Sequence, residues 1–175
     1  IRDRRLSEEL QQSILSIKEQ LDNADAYCMS RKTFYVYRWL NHCWYPDIKT
    51  RLFNKNTSHW GGTNPHDHVI TDGNNIVRLK GDIQHYSFDS ISDHLQTIDK
   101  FTEIGADELI RKNKRFNIFS PLTHASWIFI KLYIVKRGFL DGFAGLTVSV
   151  LSYMHVYIKY SKAYIKRKKI TSMET

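Results

Sequence analysis

The sequence predicts an α/β chain with strands and turns first and helices last, an α+β arrangement within its 175 residues. Three observations predict it. Leu6, Leu10, Ile14, Ile17 and Leu21 recur at spacings of three and four, the stripe of an amphipathic helix. From Ala26 to Phe88 that period gives way to aromatic and basic clusters separated by Asn, Gly, Pro, Asp and Ser, the composition of short strands and turns. From Ser90 onward helical stripes return and continue to the basic C-terminal end.

The first helix is expected over residues 7–22, with Ser7 as its cap and Glu8 and Glu9 at its positive N-terminus. A short strand near residues 26–30 then leads to a turn or short helix, and residues 49–54 read as another strand. Turn formers dominate residues 54–75, a long loop of the kind that is functional or disordered in compact domains. Residues 76–83 suit a further short strand. Ser90 and Asp93 open a helix to about residue 113, with Ile91, Leu95, Ile98, Phe101, Ile104 and Leu109 as its buried stripe. Pro121 starts a second helical region reaching about Lys136. Gly138, Gly142 and Gly145 interrupt it, and a last helix covers about residues 146–168. The natural division falls between residues 1–88 and 89–175.

A formal charge of +8 points to an anionic partner or to a face of solvated lysines. No nucleic-acid-binding motif is present, so nucleic acid is not the expected partner. Cys28 and Cys43 match no metal or redox spacing and suit free thiols in a reducing compartment. The first residues, Ile1-Arg2-Asp3-Arg4-Arg5, are not an apolar leader. Residues 143–158 lack Asp, Glu, Lys and Arg and precede Lys159, Lys162, Lys166, Arg167, Lys168 and Lys169. Two readings stay open there: a helix whose basic end, residues 159–169, lies on an anionic membrane surface, or a buried helix with a solvated tail.

The stretch from Trp44 to Phe88 holds the chemistry-bearing clusters. Asp67 follows Gly61-Gly62 and Pro65, where a carboxylate can act as general base toward a bound hydroxyl or serve a surface turn. His66 and His68 flank it. His59, His66, His68 and His85 form no tight zinc spacing, although a histidine can join carboxylates on a hard cation. Trp44, Tyr45 and Trp60 suit stacking on a sugar or core packing. Arg51, four residues beyond Asp47, has either a phosphate or that carboxylate within reach. In Gly138-Phe139-Leu140-Asp141-Gly142 the acidic residue requires a partner, for which Lys136 and Arg137 are nearest in sequence.

In order along the chain, Leu6-Ser7-Glu8-Glu9-Leu10, Arg31, Trp44-Tyr45-Pro46-Asp47, Arg51-Leu52-Phe53, Trp60-Gly61-Gly62, His66-Asp67, His85-Tyr86-Ser87-Phe88 and Gly138-Phe139-Leu140-Asp141-Gly142 resemble the C-terminal half of family 2 glycosyltransferases, in the branch that builds lipopolysaccharide core and other bacterial surface glycans. The resemblance implies a partial GT-A fold in residues 1–88, with a helical region following. It implies inverting transfer from a nucleotide-sugar to a glycan or lipid-linked acceptor, with a divalent cation, Mg or Mn, on the leaving diphosphate. Asp67 would be the base and His66 its neighbour. Arg51, Trp60, Gly61, Gly62, Asp47 and Trp44 would bind substrate, and Asp3 and His85 would face the cation. The family carries His-Glu where this chain has His66-Asp67. Before Leu6-Ser7 it carries an Asp-Ala-Asp-Glu-Arg type motif, of which only Asp3 and Arg5 match. The nucleotide-binding half has no counterpart here, so weak donor binding by these residues alone is expected. The implied location is cytoplasmic, at the inner face of the membrane. The competing reading is a non-enzymatic relative that binds glycan, lipid or protein.

Overall fold

The computed structural model describes residues 4–62, 68–73 and 75–173. The chain forms two units, one from residues 1–34 and 44–87, the other from residues 35–43 and 88–175.

The first unit is built on strands β1 (Arg4–Leu6) and β2 (Ala26–Tyr35), with helix α1 (Glu8–Ser16) and a 3₁₀ segment, Lys18–Asn23, between them. β2 reaches Tyr35, beyond the short strand expected. Thr33 and Tyr35 are buried and Phe34 is half-buried, the alternation of a half-buried strand, and β-branched and aromatic side chains suit it. After the two-residue β3 (Arg38–Trp39), which falls in the second unit, come β4 (Asp47–Phe53), β5 (Ser58–Gly61), β6 (His68–Thr71) and β7 (Ile76–Phe88). The main sheet runs β1-β7-β2-β3, and β4 also pairs with β2; β5 and β6 form a separate two-stranded sheet. The pairings of β1 with β7, β2 with β4 and β5 with β6 are antiparallel. The region expected as one long loop therefore contains a hairpin. Its pairing strands are four residues each and set among turn formers, which hid them from pattern reading.

Ser7 starts α1 as expected. Its hydroxyl accepts from the Leu10 N–H at 3.2 Å and from the Asp82 N–H at 3.0 Å, tying the helix start to β7. Gly81 permits this approach: its φ is +89°, and a Cβ there would lie 2.4 Å from the Leu10 backbone nitrogen. Leu10, Ala24, Tyr27, Met29, Leu79 and Ile83 form the core beneath, with Ile14, Ile17, Leu21 and Leu52 packed on it.

The second unit contains α2 (Ile91–Arg111), α3 (Ser120–Phe129) and α4 (Gly142–Met173). Ser90 caps α2 by accepting from the Asp93 N–H at 3.1 Å. Its buried positions are His94, Ile98, Thr102 and Ala106, whereas Ile91 and Leu95 of the expected stripe are exposed. The buried face is displaced because small residues let α4 come close: Gly105 makes room for the Lys159 stem, whose Cδ would lie 2.8 Å from an added Cβ. α3 continues as a π-helical stretch, Ile130–Val135, and a 3₁₀ turn, Gly138–Asp141, leads into α4. A Cβ on Gly145 would sit 1.9 Å from the Gly138 carbonyl oxygen, so only glycine allows this turn against α4.

Candidate functional site

The β5–β6 hairpin pairs Trp60 with Val69 and Gly61 with His68. Trp60 is 48% exposed. The Arg51 guanidinium of β4 lies 5.0 Å from its ring centroid, and Arg51 Nη1 donates to the Thr50 carbonyl at 2.9 Å. A guanidinium over an indole is attractive and fixes the ring. The half-exposed ring offers an apolar face to the C–H side of a sugar, and the cation beside it suits hydroxyl or phosphate oxygens. Gly62 has φ +97°, a left-handed turn that favours glycine, as the chain leaves β5. Gly61 is less constrained, since an added Cβ would press on the flexible end of Ile70, 2.5 Å away. Thus Arg51, Trp60, Gly61 and Gly62 come together. His66, Asp67 and Asp3 lie outside the described residues.

Asp47 is held elsewhere, by Arg31 at 2.5 Å and Lys49 at 3.0 Å, with Arg31 its register partner on β2. Spacing of four brings side chains together on a helix, whereas on a strand it separates them by about 13 Å. Trp44 is half-buried at the start of the segment preceding β4. His85 is 7% exposed, stands in β7 opposite Arg4, and lies two strands from β4. Among the described residues no group of three His, Cys, Asp or Glu side chains would hold a metal ion. Of the two residues expected to face a cation, His85 is described and Asp3 is not.

A polar cavity of about 390 Å³ opens in the same unit, lined by Glu9, Ser30, Tyr45, Arg78, Lys80 and Asp82 among others. The Tyr45 hydroxyl donates to Asp82 Oδ1 at 3.1 Å, and Arg78 Nη2 donates to Ser30 Oγ at 3.2 Å. Burial, and then the Asp82 charge, hold the Tyr45 phenol above its ordinary range, so it stays a hydrogen-bond donor. Sequence reading singled out Tyr45 but missed Ser30, Arg78 and Asp82. The one local signal was Gly81 inside an otherwise regular strand.

In the second unit Asp141 is fully buried. Its Oδ1 accepts from the Asn41 N–H at 2.9 Å and His42 Nδ1 at 3.0 Å; its Oδ2 accepts from the His42 and Cys43 N–H groups, each at 3.0 Å. The partner expected from Lys136 or Arg137 is replaced by a turn about a hundred positions away in sequence. Three backbone donors satisfy the carboxylate without burying a cation. Burial pushes its pKa up, but the His42 bond and the three N–H groups outweigh this and hold it below the ordinary range.

No family profile matches the chain, and no solved structure matches it. It is similar to uncharacterized glycosyltransferases of Rickettsia prowazekii and Rickettsia typhi, 28% identical to each over 178 residues, covering 91% of this chain and 59% of the relative. An uncharacterized glycosyltransferase of Rickettsia felis is 26% identical over 121 residues, 65% of this chain and 43% of the relative. The chain thus spans 59% of the length of the first two relatives it matches.

Proposed function

We propose that this chain is the acceptor-and-base part of a glycosyltransferase of family 2, which moves a sugar from a nucleotide-sugar onto a glycan or lipid-linked acceptor of the bacterial surface. The observation that carries the reading is the Arg51 guanidinium over the half-exposed Trp60, on the hairpin whose connecting segment contains His66-Asp67. Similarity over 91% of the chain to proteins with glycosyltransferase names supports it.

The chemistry follows from the residue types. The acceptor sugar stacks its C–H face on Trp60. The Asp67 carboxylate takes the proton of the acceptor hydroxyl, and the oxygen attacks the anomeric carbon opposite the leaving group. The C–O bond to the diphosphate breaks, and the configuration inverts. Arg51 lies where a cation can attract phosphate or hydroxyl oxygens. The cavity beside the Tyr45–Asp82 hydrogen bond, lined by both donors and acceptors, suits further hydroxyl groups of an oligosaccharide.

The test is oligosaccharide binding by the full chain, followed by ligand-observed NMR and tryptophan fluorescence across bacterial core-type oligosaccharides. Binding that falls about tenfold in Trp60→Ala, with the fold intact, supports the reading. No binding to any oligosaccharide, or binding indifferent to Trp60, overturns it.

A further inference from the structure

α3 and the segment after it are apolar on two opposite faces. Pro121, Ala125 and Leu132 are buried within the unit. Phe119, Leu122, Trp127, Ile130 and Ile134 are 68%, 53%, 58%, 44% and 55% exposed, and within α3 itself Leu122 and Trp127 lie about 140° apart at 3.6 residues per turn. The surface continues through Phe139, Leu140 and Phe143, the last 69% exposed. The outer face is therefore mainly apolar, with Thr123 an exposed polar residue among these side chains. Large exposed apolar patches of this kind mark an interaction surface.

The charge pattern specifies the partner. Residues 109–140 contain seven Lys and Arg and no Asp or Glu. The next acidic residue, Asp141, is fully buried and saturated with hydrogen bonds. Lys131, next to Ile130, and Arg137, three residues beyond Ile134, are exposed. The basic end of α4 is different. Lys162 binds Asp99 and Glu103 at 2.9 and 3.2 Å, and Lys166 binds Glu103 and Asp107. Much of the expected membrane-facing stripe is therefore spent on α2.

We infer that the exposed face of Phe119, Leu122, Trp127, Ile130, Ile134 and Phe143, flanked by Lys131 and Arg137, docks on an anionic lipid bilayer. The apolar side chains enter the boundary between headgroups and acyl chains, and the cations meet lipid phosphates. Trp127 takes the interfacial position that indoles favour. By length and composition Gly138–Met173 is also apolar enough to cross a membrane, with mean hydropathy 1.2 over its most apolar window. Its Ala144, Val148 and Leu151 are instead buried within the helical unit, whose outer surface is what meets lipid. This inference does not require the chain to transfer sugar.

The test is flotation of the full chain with vesicles of phosphatidylethanolamine and phosphatidylglycerol, together with quenching of tryptophan emission by brominated lipids. Wild type should float on anionic vesicles and at least tenfold less on pure phosphatidylcholine. Phe119→Ser/Ile134→Ser should lose flotation at least tenfold with an unchanged thermal midpoint, whereas Lys168→Ala/Lys169→Ala should retain most of it. The conservative Trp127→Phe should still float but lose most of the lipid quenching. No flotation of wild type, quenching that survives Trp127→Phe, or a lipid-free dimer broken by Phe119→Ser/Ile134→Ser would each overturn the inference.

Discussion

In the β-rich unit, cations and rings meet at the surface. Arg51 lies over Trp60, Lys32 lies 5.7 Å from the Tyr45 ring centroid, and Tyr45 itself bonds to Asp82 at the wall of a polar cavity. In the helical unit several acidic groups are turned inward or paired. Asp141 is buried against a turn, Glu103 and Asp107 hold Lys166, and the outer surface carries large apolar side chains with Lys131 and Arg137 exposed. One unit thus joins rings, cations and a polar cavity, and the other combines a buried carboxylate with an apolar outer surface. Strands allow the first because side chains from neighbouring strands converge on one face. Helices allow the second because a single helix can show different faces inward and outward.

The comparison breaks most directly at Asp141. Asp141→Ala leaves three backbone N–H groups without their acceptor and should cost the helical unit about 3 kcal/mol, read as a lowered urea midpoint of the helical signal. Its pH dependence has a definite sign. The folded-state pKa lies below the unfolded value, so the stabilisation is complete above the ordinary carboxyl range and is lost as pH falls through the folded pKa. Wild type should weaken below about pH 4, and Asp141→Asn should flatten that limb. Gly81→Ala tests the other unit: strain at φ +89° and the clash with Leu10 should cost about 2 kcal/mol, seen as a lower thermal midpoint. Arg51→Ala frees the indole from its cation and should weaken oligosaccharide binding about three- to fivefold by fluorescence titration, with stability nearly unchanged. Glu103→Gln should have the smallest effect, a barely detectable change in midpoint that disappears at high salt, because its ion pairs with Lys162 and Lys166 lie in solvent.

The helices were the most legible part of the sequence. Ser7 and Ser90 are caps as their positions imply, and Leu10, Ile14, Ile17 and Leu21 of the first stripe pack on the core, whereas Leu6 is an exposed residue of β1 and the helix ends at Ser16, short of residue 22. The face of α2 was misplaced because Gly105, Thr102 and Ala106 carry no hydrophobic signal yet determine how closely α4 approaches. The β5–β6 hairpin was hidden by the turn formers that flank and separate its four-residue strands. Within the candidate site, Arg51 and Trp60 were singled out individually, but their meeting depends on strands that local pattern does not pair. The Asp141 cradle was illegible because backbone N–H groups are present in every sequence. The Lys159, Lys162, Lys166 stripe had a readable counterpart in Asp99, Glu103 and Asp107, which recur every four residues on α2.

The most direct test of the sugar-transferring reading is mass spectrometry of a lipid-linked oligosaccharide acceptor incubated with nucleotide-sugars, Mg or Mn, and the protein. Transfer should add the mass of one sugar residue, and Asp67→Asn should slow that gain at least a hundredfold while leaving acceptor binding through Trp60 in place. Transfer undiminished in Asp67→Asn, or a wild-type chain that neither transfers a sugar nor binds the acceptor, would contradict it.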